Sequence, residues 1–153
     1  MTKALLEAKA LSRHYGLQTA VDNVSFTVNK GEVLGFLGPN GAGKSTTMKM
    51  LSGNLAAHHG EILINGYDLL NQAQQAKQHI GYLPENPPLY KELTVAEFLL
   101  FCAKLNQIPK AKVNAAVDSV IERCGLTQVS SRLIANLSKG YQQRVGIAQA
   151  IIH

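Results

Sequence analysis

Val21, Val24, Phe26 and Val28 fall among polar residues at mostly alternating spacing and stop at Asn29-Lys30-Gly31. That pattern predicts a strand on a half-buried sheet, closed by a turn. Immediately afterwards the period changes. Val33, Leu34, Phe36 and Leu37 form a short, nearly continuous apolar run within 32–37, as expected of a strand buried on both faces in a parallel sheet. Beyond a glycine-rich loop, Met48, Leu51 and Leu55 recur at helical spacing, and Gly60 to Gly66 (GEILING) predicts another strand closed by an Asn-Gly turn. A further short strand is expected at 80–83, ahead of Pro84, Pro87 and Pro88, which forbid regular structure there.

From Thr94 onward the signals are helical. Thr94 followed three residues later by Glu97 is a capping box, and it predicts a helix over 95–105. Pro109 suits the first turn of a second helix, whose apolar face is Val113, Val117, Val120 and Ile121 and which Gly125 closes after Arg123. A third helix begins near Ser138 and carries Val145, Ala148 and Ile152 on one face. With no internal repeat or low-complexity tract, the expectation is a mixed α/β front half with a helical layer leaning on it.

Composition narrows the class. The chain has 153 residues, 46% hydrophobic and 16% charged, enough for one globular domain with a real core, so disorder is not the default. A net charge of +5 favours anionic partners such as nucleotide phosphates, acidic lipid or nucleic acid, without choosing among them. Cys102 and Cys124 are the two cysteines and form no C-x-x-C motif, which points to free thiols in a reducing compartment. Lys3, Glu7 and Lys9 interrupt the N-terminal apolar stretch, and Phe98 to Ala103 is bounded by Glu97 and Lys104. Neither a signal peptide nor a membrane span is therefore expected, and the chain should be cytosolic, reaching a membrane only through a partner. His58-His59 lacks the spacing of a helical metal site. Lys104, Lys110 and Lys112, without interleaved aromatics, suggest a solvated helical face and no nucleic-acid partner.

The chemistry lies in Gly38-Pro39-Asn40-Gly41-Ala42-Gly43-Lys44-Ser45-Thr46, which fits G-x-x-x-x-G-K-[ST] between an expected strand and an expected helix. Glycines let the backbone turn its N–H groups onto phosphates, and a helix N-terminus adds partial positive charge. Lys44 is placed to reach the β and γ phosphates and Ser45 to offer its hydroxyl to Mg²⁺.

GPNGAGKST resembles the Walker A loop of ATP-binding cassette (ABC) ATPases more closely than that of GTPases or small-molecule kinases. The resemblance runs from about Leu6 to the last residue. It implies an α/β P-loop NTPase core, comprising about 1–93 and 137–153 with an antiparallel β subdomain, and a helical subdomain at about 94–136. Tyr15 is placed like the family's aromatic that stacks on adenine, and Val21 like the apolar residue lining the base. Tyr82-Leu83-Pro84-Glu85 falls at the family's Q-loop, with Glu85 where Gln usually contacts Mg²⁺ and the attacking water. A carboxylate can also bind the ion, but it adds negative charge near the triphosphate. Leu137-Ser138-Lys139-Gly140-Tyr141 resembles the LSGGQ signature. Ser138 and Gly140 match the positions that touch the γ-phosphate held by an opposing subunit, while Lys139 and Tyr141 depart from the pattern.

Together these forms look most like the ATPase subunits of ABC-2 type exporters. The resemblance implies ATP and Mg²⁺ as cofactors, a head-to-tail dimer, and a membrane permease that keeps the subunit on the cytoplasmic face and chooses the substrate. The family's Walker B aspartate, catalytic glutamate and switch histidine come after the signature helix, and none follows His153. The expectation is a fold incomplete at its C-terminus, aggregation-prone, binding Mg-ATP and hydrolysing it slowly or not at all. Two other readings stay open, a soluble ABC ATPase acting without a permease and a non-catalytic remnant.

Overall fold

The alternating stretches ahead of the glycine-rich loop pair as β1 (Ala4–Tyr15) and β2 (Gln18–Asn29). They belong to a computed structural model that describes residues 4–153, so Lys3 lies outside the described residues. Two units are distinguished, Met1–Ile80 and Gly81–His153. In the first, β1 and β2 run antiparallel from Ala4↔Asn29 to Tyr15↔Gln18, joined through Gly16-Leu17. β3 (His59–Ile64) pairs with the other edge of β1, and β4 (Tyr67–Asp68) pairs with β3, giving the order β2-β1-β3-β4. The expected Asn-Gly turn joins the last two, with φ of 51° at Asn65 and 87° at Gly66, as a type I′ hairpin requires.

The β1–β2 ladder is broken by register shifts near Ala10. Hydroxyls take up the N–H groups that such bulges release from the ladder: Ser25 Oγ accepts from Ala10 N at 2.8 Å, and Ser12 Oγ accepts from Asn23 N at 2.9 Å. Ala8, Leu11, Val21, Ile62 and Ile64 form the buried core of this unit with Met50 and Leu51. The last two come from α1 (Lys44–Leu51). A short α2 (Ala73–Lys77) adds Ala76.

Three expectations need correction here. The 32–37 run is not a buried strand: it pairs with no strand among the described residues, and Val33 and Leu37 are 99% and 93% exposed. Burial on two faces needs flanking strands and covering layers, and none is described beside it. The helix after the loop ends at Leu51 rather than Leu55, and it buries Thr47, Met50 and Leu51 while Met48 is exposed. Residues 80–83 carry no regular structure, for the same want of a pairing strand.

The second unit is helical. α3 (Val95–Leu105) opens with the expected capping box, Thr94 Oγ1 accepting from Glu97 N while the Glu97 carboxylate accepts from Thr94 N. α4 (Val113–Arg123) presents Val113, Val117, Val120 and Ile121 to the core, and α5 (Lys139–Ala150) presents Val145 and Ala148. With Val95, Leu99, Leu126 and Ile134 these make one apolar cluster.

Candidate functional site

The glycine-rich loop occupies the segment between β2 and α1, within the first unit. Gly43 is the residue before the helix and adopts φ 83°, with no side-chain cap on α1. The first turn of a helix has N–H groups without intrahelical acceptors. No side chain caps them, which leaves them available to an anion with the helix's partial positive charge behind them. Gly43 is also where the loop meets the sheet. A Cβ there would lie 2.2 Å from Ala20 O and 3.1 Å from Val21 Cγ2, so only glycine allows this approach.

Lys44 Nζ donates to Gly38 O at 2.7 Å and to Pro39 O at 2.6 Å. The ammonium is thus folded over the loop, with the carbonyls of its first two residues as partners. Ser45, on the exposed first turn of α1, makes no side-chain hydrogen bond among the described residues. A free hydroxyl beside uncapped helix N–H groups is the donor type that Mg²⁺ takes together with phosphate oxygens and water, so the residues present fit that ion. Thr47, one turn on, is buried, and its Oγ1 donates to Gly43 O at 3.0 Å, tying the helix to the loop.

Val21 is buried and packs beside Gly43. Tyr15 ends β1 and is 48% exposed. Arg13, which the sequence reading passed over, lies opposite Val21 in the ladder and has its guanidinium over the Tyr15 ring, Cζ 5.3 Å from the centroid. The structure therefore gathers Tyr15, Val21 and Gly38 to Thr46 into one unit. Adjacent to them, His58 Nδ1 accepts from His14 N at 3.3 Å, and the two rings stack.

Glu85, Ser138 and Gly140 belong to the second unit. Glu85 is exposed in the irregular segment after Gly81. Ser138 is the N-cap of α5, its Oγ accepting from Tyr141 N at 3.4 Å. A Cβ on Gly140 would lie 4.0 Å from Ser138 Oγ, so both residues border the same helix N-terminus. Leu137 is buried beneath them, and Gln142 Nε2 donates to Ile134 O and Leu137 O, fixing the turn that leads in. Behind Glu85, α5 approaches the proline-rich segment closely. A Cβ on Gly146 would come within 2.7 Å of Leu83 Cδ1 and 2.9 Å of Pro87 Cβ.

A second feature escaped the sequence reading. Tyr90, 46% exposed, and Phe101, 37% exposed, form an aromatic pair with centroids 5.4 Å apart, Tyr90 also meeting the edge of Phe98. Only the packing of 89–91 on α3 reveals it, because the two residues are far apart in sequence.

The family model described as ABC transporter matches residues 21–153. A probable multidrug ABC transporter ATP-binding protein of Escherichia coli, YbhF, is 37% identical over 151 residues, covering 99% of this chain and 26% of that protein. The linearmycin resistance ATP-binding protein LnrL of Bacillus subtilis is 38% identical over 149 residues, covering 97% of this chain and 48% of that protein. Among solved structures, an ATP-binding subunit of an ABC transporter superposes with a TM-score of 0.86 at 36% identity, covering 97% of this chain and 62% of that one. The chain thus spans from about a quarter to about half the length of these two curated relatives. No described helix is long and apolar enough to cross a membrane.

Proposed function

The chain belongs to the ABC transporter family, and on that footing we propose that it acts as the ATP-binding part of an exporter whose membrane permease is a separate partner. The observation that carries the reading is the loop at Gly38 to Thr46. Its helix N-terminus is uncapped, its lysine is poised over the loop, and Gly43 is held against β2 by an approach that excludes any side chain. In this reading Lys44 takes the β and γ phosphates, Ser45 ligates Mg²⁺, and Tyr15 with Val21 receives adenine. Ser138 and Gly140 meet the γ-phosphate bound by a second copy in a head-to-tail dimer. Glu85 orients water or the ion.

The same reading divides the chain into a nucleotide-binding core, about 1–93 with 137–153, and a helical subdomain at about 94–136. It puts the protein on the cytoplasmic face of a membrane, and the exposed Tyr90–Phe101 pair offers an aromatic surface for the permease.

Calorimetric titration of Mg-ATP into the wild-type chain and Lys44→Ala tests the proposal. Loss of the charge-assisted bonds should weaken binding by at least about tenfold. Equal affinity in the two proteins would remove the loop from consideration as a nucleotide site.

A further inference from the structure

Arg13 is held in an unusual way. Its Nη1 donates to Ala56 O at 2.9 Å, in the loop leading to β3, while its Nε is buried with no hydrogen-bond partner. Among the described residues it makes no salt bridge. What its guanidinium has instead is the ring of Tyr15, 5.3 Å from Cζ to the centroid, within the range of a cation–π contact. His58 nearby is held below the ordinary imidazole range, first by burial and then by Arg13, His14 and His59. The cation that lies over the tyrosine ring is the Arg13 guanidinium, while the His58 ring stacks on His14.

We propose that Arg13 is a positioning residue for the nucleotide base, acting through Tyr15. This rests on the reading of Tyr15 as the adenine platform. Anchored to Ala56 O, the guanidinium backs one face of the ring and fixes its orientation at the end of β1. The other face is left for a purine. The cation also draws π density from the ring, which favours stacking on an electron-rich base. Arg13 itself touches neither base nor phosphate in this arrangement, so its contribution is specific to ligands that carry a base.

The test compares Mg-ATP with Mg-tripolyphosphate, which has the phosphate chain and no base, by calorimetry on the full chain. Arg13→Ala should raise the Kd for Mg-ATP about two- to fivefold and leave that for Mg-tripolyphosphate unchanged. Arg13→Lys should recover part of the loss, since an ammonium can still lie over the ring. In a Tyr15→Leu background, Arg13→Ala should have no further effect. Equal weakening of both ligands, no weakening of either, or a loss that persists without Tyr15 would overturn the proposal. Unchanged Mg-ATP affinity in Tyr15→Leu alone would overturn it by removing the platform, whereas tripolyphosphate binding reports separately on the phosphate loop.

Discussion

Replacing Gly43 by alanine combines two penalties that can be measured apart. At φ 83° an L-residue adopts the left-handed region, costing roughly 1–2 kcal/mol. The new methyl would also stand 2.2 Å from Ala20 O, about 1 Å inside van der Waals contact. The carbonyl is ladder backbone and cannot swing aside, so the loop has to lift from β2. Gly41 supplies the control, because its φ is 84° but nothing lies within 4 Å of its Cβ position. Gly41→Ala should therefore lose about tenfold in Mg-ATP affinity from backbone strain alone. Gly43→Ala should lose about a hundredfold, corresponding to about 3 kcal/mol. Calorimetry gives the affinities, and circular dichroism melting shows whether the sheet survives. Wild-type affinity in Gly43→Ala, or an equal loss in both variants, would refute the collision argument.

Thr94→Ala should cost about 1 kcal/mol in urea unfolding by removing the N-cap of α3. The Glu97 carboxyl is held below its ordinary value by hydrogen bonds from Thr94 N–H and Oγ1. Its contribution is thus complete above the unfolded value near 4.5 and fades as pH falls through the lower folded value. Glu97→Gln should flatten this part of the acid-unfolding profile, and an unchanged profile would show that the box is unformed in solution. Cys102 is buried, and burial pushes its thiol up to about 11. Iodoacetamide at pH 8 should modify the less buried Cys124 first, and equal rates on mass spectrometry would mean that the helical core is open. Phe101→Ala should leave the melting temperature within a few degrees while abolishing co-purification with a membrane partner. Retained co-purification would remove the aromatic pair from that role.

What could be read from the sequence was what depends on near neighbours. The capping box at Thr94–Glu97 and the Asn65-Gly66 turn are local bargains between side chain and backbone, and both formed as expected. The apolar face of α4 was legible because 3.6-residue periodicity is intrinsic to a helix. Residues 32–37 show the opposite case. Their composition suits a doubly covered strand, but coverage is supplied by other segments, and composition alone could not say which of them would be there. Thr47 and Met50, buried in place of Met48, likewise depend on the rotation of α1 against β2. Within the candidate site, the spacing of Gly38, Gly43, Lys44 and Ser45 was readable because it is a local pattern, and the structure places it between β2 and α1. Arg13 over Tyr15 was within reach, since residues two apart in a strand share a face, although the bulges in β1 obscured that count. The Tyr90–Phe101 pair required the fold.

With its ammonium held by Gly38 O and Pro39 O, Lys44 has something to give up when an anion arrives. A lone phosphate or sulfate resting on the first turn of α1 can use the open N–H groups and leave both carbonyl bonds intact. A chain of phosphates extending along the loop can replace those two bonds with stronger ones to charged oxygens. If the loop holds phosphates as proposed, it would respond to how far negative charge extends and not only to how much of it is present, and the resting lysine would act as a ruler for the length of a polyphosphate.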